Sequence, residues 1–354
     1  MPAVQYPCKV LVSGANGYVA MWVIHEFLEQ GYSVRGTVRS ISKGEHPRKE
    51  FAKYGEKFEV VVVEDITKEG AFDEAVRGVD AIAHTASPFH LNAQYPGELI
   101  EPAVKGTIGM LRSALNHGSS VKRIVITGSV AAIVHDDITP TTFTEKDWNH
   151  ECLELVKTQG ENASNLMKYR ASKTLAEQAT WKFVEDHKQQ IRWDLAVLNA
   201  PLVFGPAIHE LRDPASLNTS AKIFYDYVAD ASKVEEVGNE FLSKNGSCWV
   251  DVRDLAEAHR LALEKEEAGG ERIIISASVF KWQDFIDAAN ALSPPIVLSR
   301  PLPKGMPGSG SGQPDTVHLI SYDTTKSDRI LGLKYRSIAD TTEATLANYA
   351  ARGW

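Results

Sequence analysis

Tyr169 and Lys173 stand four residues apart in Asn165-Leu-Met-Lys-Tyr-Arg-Ala-Ser-Lys-Thr-Leu-Ala-Glu177. That spacing stacks a phenol and an ammonium on one helix face. A phenol ionises near pH ~10, and each unit of downward shift requires about 1.4 kcal/mol of preference for the phenolate, which an adjacent cation can supply. The pair is therefore suited to acid–base chemistry at a carbonyl or hydroxyl. With eleven tyrosines in the chain the spacing also arises by accident, and it recurs at Tyr322 and Lys326. The second pair lies near the C-terminus and follows a Gly/Pro/Ser loop rather than a buried strand. It is expected to stand outside the chemistry, so Tyr322→Phe should do little.

What separates the two pairs is the set of elements around them. The first half of the chain alternates short β-branched runs with longer amphipathic segments: Lys9–Ser13, then Tyr18–Gln30, then Ser33–Val38. Phe58–Val63, Asp80–His84, a helical stretch from about Glu98 to His117, and Lys122–Thr127 continue the pattern. Near-continuous apolar strands separated by helices predict an α/β fold with a doubly wound parallel sheet of Rossmann type. Trp193–Leu198 and Glu271–Ser276 add two further strands. Residues 1–199 are read as the dinucleotide-binding domain, completed by about 251–278, and 200–250 with 279–354 as a smaller, discontinuous substrate-binding lobe. Pro307-Gly-Ser-Gly-Ser-Gly-Gln313 lacks the strand and helix that a phosphate cradle needs and is read as a mobile surface loop.

The first strand runs directly into Ser13-Gly14-Ala-Asn16-Gly17-Tyr18-Val19-Ala20 and then a helix. Gly14 and Gly17 allow close approach of a pyrophosphate, the helix N-terminus offers unpaired N–H groups, and Ala20 permits tight helix–strand packing. After the second strand the chain reads Arg39 and then Lys43, with no carboxylate until Glu45. An arginine there accommodates a ribose 2′-phosphate, which selects NADPH over NADH. Asp65 and Ile66, after the third strand, are placed to touch the adenine, and Thr85, Ala86 and Ser87, after the fourth, pass the cofactor. The fifth strand ends at Ser129, whose hydroxyl opens onto the crevice where ligands bind.

In this order, with Tyr-x-x-x-Lys on the next helix, the chain resembles the extended short-chain dehydrogenase/reductase family. Within it, the resemblance is to the branch of dihydroflavonol 4-reductases, fungal aldehyde and ketone reductases and yeast methylglyoxal reductase. It covers nearly the whole length and rests on Gly14–Ala20, His84-Thr-Ala-Ser-Pro-Phe89, Tyr169–Lys173, Leu217-Asn-Thr-Ser220, Trp249-Val-Asp-Val-Arg-Asp254 and Lys326-Ser-Asp-Arg-Ile-Leu-Gly332. The resemblance implies hydride transfer to a carbonyl carbon, with Tyr169 protonating the oxygen, Ser129 positioning it, and Lys173 binding the nicotinamide ribose while lowering the tyrosine pKa. It implies further cofactor contacts at Pro201, Val203 and Ser220, and a substrate pocket from Phe89, Val130, Ala131, Leu202 and Tyr225. Two departures stand out: Thr127-Gly128-Ser129 where relatives have Thr-Ser-Ser, and a proline one place late in Asn199-Ala-Pro-Leu-Val-Phe-Gly-Pro206.

The pocket residues are mostly apolar and lack an arginine cluster for a phosphate or sugar nucleotide, so an aldehyde or ketone with an apolar group fits best. An epimerase or dehydratase holding NAD is the competing enzyme class, opposed by Arg39 and by the absence of an acidic residue. A non-catalytic dinucleotide sensor is the third reading, opposed by the Tyr/Lys pair. A net charge of −8 without a Lys/Arg block excludes nucleic acid or an anionic membrane as main partner. Cys8, Cys152 and Cys248 are far apart, without metal-ligand spacing. No signal peptide and no apolar run of about 20 residues is evident. A soluble cytoplasmic protein without metal, monomeric or homodimeric, is expected.

Overall fold

Val10 and Val12 bury on one face of a sheet and Leu11 on the other, and this alternation holds for the whole architecture. The structure is a computed structural model and describes residues 4–87, 93–136 and 139–354. In chain order the strands are β1 (Lys9–Val12), β2 (Ser33–Val38), β3 (Phe58–Val62), β4 (Ala81–His84), β5 (Arg123–Ser129) and β6 (Thr141–Phe143). They continue with β7 (Asp194–Ala200), β8 (Leu202–Phe204), β9 (Gly246–Asp251), β10 (Arg272–Ile274), β11 (Ser278–Lys281) and β12 (Ile320–Tyr322). Seven of them form one sheet in the order β10-β7-β5-β4-β1-β2-β3, every neighbour parallel. The seven strands expected from the sequence are these seven.

On one face Val10, Val12, Val34, Ala196 and Leu198 pack with helices Tyr18–Glu29 and Val252–Glu264. On the other, Leu11, Ile82, Ile124 and Val197 pack with helices Gly97–His117 and Asn165–Asp186. The strand order reverses between β4 and β1, so loops after those two strands part there and leave a crevice at the carboxyl ends. The site described below occupies it.

A separate apolar cluster gathers around Phe204, whose ring lies 5.3 Å from Phe224, 5.7 Å from Phe280 and 5.3 Å from Phe285. Trp249 belongs to this core, with 1% of its surface exposed. β8, β9 and β11 make a three-stranded sheet beside it, and β12 pairs in parallel with β6. These short strands have too few residues to display a period in sequence, which is why only the long sheet was anticipated.

The Gly/Ser loop after Met306 differs from the expected mobile segment. Its backbone N–H groups donate to one side of helix Trp282–Ala291: Met306 N to Gln283 Oε1, Gly308 N to Asp287 Oδ2 and Ser311 N to Asp284 Oδ1, each at 2.8 Å. Three acceptors at i, i+1 and i+4 hold the loop, and its glycines admit their close approach. No helix among the described residues is long and apolar enough to cross a membrane.

Candidate active site

Strand β1 ends in a turn that only glycine fits. Gly14 has φ +70°, and a Cβ there would come within 3.2 Å of the Ala86 side chain. Gly17 N closes the turn on Gly14 O at 2.8 Å, and the helix from Tyr18 begins without a side-chain cap or an acidic residue in its first turn. A pyrophosphate fits these residues: the cradle is one a side chain would fill, and the free N–H groups and dipole of the helix favour an anion. Tyr18 is anchored rather than free, its hydroxyl donating to Gly205 O at 2.9 Å. Burial holds this phenol well above its ordinary pKa.

Arg39 follows β2 directly and is exposed; neither its side chain nor that of half-buried Lys43 makes an ion pair among the described residues. Both are therefore available to a 2′-phosphate. Asp65 accepts from Thr67 N at 2.9 Å and Thr67 Oγ1 at 2.7 Å, which holds its carboxyl below the usual range. Ile66 packs against Gly106 of helix Gly97–His117.

Helix Asn165–Asp186 is capped by Ser164, which accepts from Met167 N at 3.2 Å, and its start is tied down by buried Lys168, whose ammonium donates to Ala93 O, Gln94 O and Glu161 O. Leu166, Tyr169, Arg170 and Lys173 follow at helical spacing and face a cleft of about 530 Å³. The Ser129 hydroxyl, at the end of β5, is hydrogen-bonded to the Tyr169 phenol. The Lys173 ammonium lies 5.8 Å from the centre of the Tyr169 ring and donates to Ser87 Oγ at 2.8 Å. Burial pushes the phenol up from its ordinary value, with the Ser129 hydrogen bond acting in the opposite sense. This differs from the expected lowering by Lys173: desolvation dominates at the phenol, and burial likewise pushes the Lys173 ammonium down to about 8.

Behind Lys173 a small cavity is lined by His84, Thr127, Lys173 and Glu177 among others. Donor accounting fixes the form of His84. Ser13 Oγ already accepts from Thr85 N and Ala86 N at 3.0 and 2.9 Å, so its own proton goes to His84 Nδ1 at 2.9 Å and Nε2 carries the imidazole hydrogen. Burial, with the Lys173 charge, pushes His84 down to about 4. Glu177, one turn beyond Lys173, accepts from Arg272 Nε at 2.6 Å and Asn199 Nδ2 at 2.8 Å, and Asn199 Nδ2 also donates to Ser129 O at 3.2 Å. A buried carboxylate thus ties β7, β10 and the end of β5 to the helix of Tyr169. Glu177→Ala, which strands the Arg272 charge, should destabilise the protein by about 3–5 kcal/mol in urea unfolding.

The cleft brings together Gly14, Gly17, Tyr18, Val19, Thr85, Ser87, Ser129, Val130, Ala131, Tyr169, Lys173, Pro201, Leu202, Val203 and Ser220. Pro201, which cannot donate to a ladder, stands where the chain leaves β7 for β8. Asn16 and Ala86 flank the turn without lining the cleft. Phe89 lies outside the described residues. The expectation for Tyr225 is corrected: its ring packs 5.3 Å from Tyr349 and 6.2 Å from Trp354, beside a different surface depression. Tyr322 is corrected in the other direction. It lines the same cleft as Tyr169, while Lys326 turns away to Glu271 at 2.7 Å. Asn218, whose buried Oδ1 has no partner among the described residues, lines the cleft from within the Leu217–Ser220 motif, and Ser247 and Ile320 also line it and had no signal of their own in the sequence. For Glu177 there was one: it continues the Tyr169–Lys173 face at a further four residues.

Residues 10–276 match the model of the NAD dependent epimerase/dehydratase family. The chain is 36% identical to ketoreductase azaE of Aspergillus niger over 93% of its own length and 94% of that protein. It is 33% identical to the NADPH-dependent methylglyoxal reductase GRE2 of Saccharomyces cerevisiae, over 95% of this chain and 96% of that one. Among solved structures, Gre2 of Candida albicans in complex with NADPH superposes with a TM-score of 0.84 at 32% identity, covering 98% of this chain and 99% of that chain.

Proposed function

We propose, since this chain belongs to the NAD dependent epimerase/dehydratase family and within it to the extended short-chain dehydrogenase/reductases, that it is an NADPH-dependent reductase of small aldehydes and ketones. The observation that carries this reading is the convergence of the Ser129–Tyr169 hydrogen bond and the Lys173 ammonium in one cleft that opens on the glycine turn. Gly14, Gly17 and the N-terminus of helix Tyr18–Glu29 hold the pyrophosphate, Lys173 the nicotinamide ribose, and Arg39 with Lys43 the 2′-phosphate. Bound reduced nicotinamide supplies a hydride to the carbonyl carbon. Ser129 donates to the carbonyl oxygen and orients it. Tyr169 delivers the proton to that oxygen as negative charge develops, so carbonyl, hydride and proton together balance to an alcohol. The Lys173 charge stabilises the phenolate left behind. Val130, Ala131 and Leu202 exclude water from the reacting face.

A cytoplasmic setting accords with three free thiols, two of which, Cys8 and Cys248, burial pushes up to about 12 and out of reactivity. The test is NADPH oxidation followed by absorbance with a panel of aldehydes and activated ketones, and NADH run in parallel. Turnover with NADPH well above that with NADH supports the reading; preference for NADH overturns the cofactor assignment. Arg39→Ala should raise the KM for NADPH by about tenfold, the worth of one charge-assisted contact, with little effect on NADH.

A further inference from the structure

Part of the cleft wall is built by a segment that the sequence placed outside the chemistry. In β12, Ile320 and Tyr322 point one way and Ser321 the other, where its hydroxyl meets Thr142 Oγ1 at 2.8 Å. The parallel register sets Tyr322 beside Phe143, ring centres 6.4 Å apart, and both pack on a cluster containing Val130 and Val134. Val130 directly follows Ser129, so the ring is fixed next to the reacting group. Val134, Leu166, Leu202, Ile223 and Ile320 line the same cleft, together with the polar Arg170, Asn218 and Ser247. Within it the Tyr322 hydroxyl has no hydrogen-bond partner among the described residues, and burial, against the opposing charge of Arg170, keeps it protonated. The Arg170 guanidinium is itself held by Asp136 at 2.8 Å, which leaves the phenol as the donor.

We propose that Tyr322 is a specificity-determining residue of this cleft: its hydroxyl donates to a second oxygen of the substrate, so the site favours aldehydes and ketones that carry a further carbonyl or ester oxygen on an apolar body. The assignment rests on the carbonyl-reductase reading above. A donor without a protein partner, on a ring held by an apolar cluster, rewards a ligand acceptor and gives nothing to an alkyl chain of the same size. The geometry separates this role from that of Tyr169, since Lys326 is engaged by Glu271 and no cation among the described residues is stacked on the Tyr322 ring.

The experiment compares Tyr322→Phe with the unaltered protein on ethyl acetoacetate, which carries the second oxygen, and on hexanal, which does not. The substitution keeps the ring and its packing on Phe143. NADPH binding, read by quenching of protein fluorescence, should be unchanged. Expected is a loss of roughly tenfold in kcat/KM for ethyl acetoacetate, carried mainly by KM, with hexanal changed by less than about twofold. Equal losses on both compounds, or none on either, overturn the assignment while leaving the reductase reading intact. An unaltered protein that turns over neither compound overturns both.

Discussion

Tyr169→Phe is expected to lower carbonyl reduction by on the order of a thousandfold, the worth of a positioned proton donor, and to leave NADPH affinity within about twofold. The ring survives the substitution, so the helix face and the cleft do too; only the transferable proton is lost. The pH profile of the unaltered enzyme supplies a second readout. Burial lifts the Tyr169 phenol above its ordinary value, so the proton donor stays loaded throughout the neutral range. Lys173 behaves in the opposite way, its ammonium pushed down to about 8. Turnover should therefore fall as pH rises past about 8, where the charge that stabilises the phenolate disappears. Stopped-flow measurement of NADPH oxidation checks both points, and near-normal turnover by the Phe variant removes Tyr169 from the chemistry.

Acid should unfold the protein steeply, because three histidines are buried neutral. His84, His209 and His259 are each pushed down to about 4, first of all by burial. At His259 the bonding explains the preference: Nδ1–H donates to Leu255 O at 2.8 Å, so Nε2 must accept from Thr127 Oγ1, also at 2.8 Å. A second proton would force the Thr127 hydroxyl to turn its own hydrogen away and would leave a charge in a fully buried site. Between about pH 6.5 and 4 the unfolded chain binds these protons and the folded chain does not, so stability is present above the unfolded value and is lost as pH falls. Each proton contributes about 1.4 kcal/mol per pH unit, giving a slope of about 4 kcal/mol per unit where all three act together. Urea unfolding at pH 7, 6 and 5 measures it. A midpoint that does not move between pH 6.5 and 5 means that these groups are solvated.

The long parallel sheet was legible because each of its strands reads as an apolar run bounded by helix or turn, and burial on both faces demands that pattern. That Gly14, Ser129, Tyr169 and Lys173 converge on one cleft was legible for a related reason: each sits at a fixed place relative to one of those strands. Tyr322 was not. Its strand has three residues, and its partner Phe143 stands far back in the chain, so neither period nor spacing connects them. Tyr225 erred in the opposite sense, since an aromatic in the right stretch of sequence turned toward Tyr349 and Trp354 instead. The sense of the Tyr169 shift was missed because a spacing of four reveals the neighbouring charge but not how deeply both groups are buried.

The pairing of β12 with β6 also imposes an order on synthesis. β1 to β5 and the helix bearing Tyr169 have all left the ribosome long before residue 322 is added. A nascent chain can thus assemble the glycine turn and the Ser129–Tyr169–Lys173 group while one side of the cleft is still untranslated. The three-residue ladder from Ile320 to Tyr322 closes that side last. On the proposed reading, chains shortened ahead of it would retain Ser129, Tyr169 and Lys173 and lack the wall that carries Tyr322.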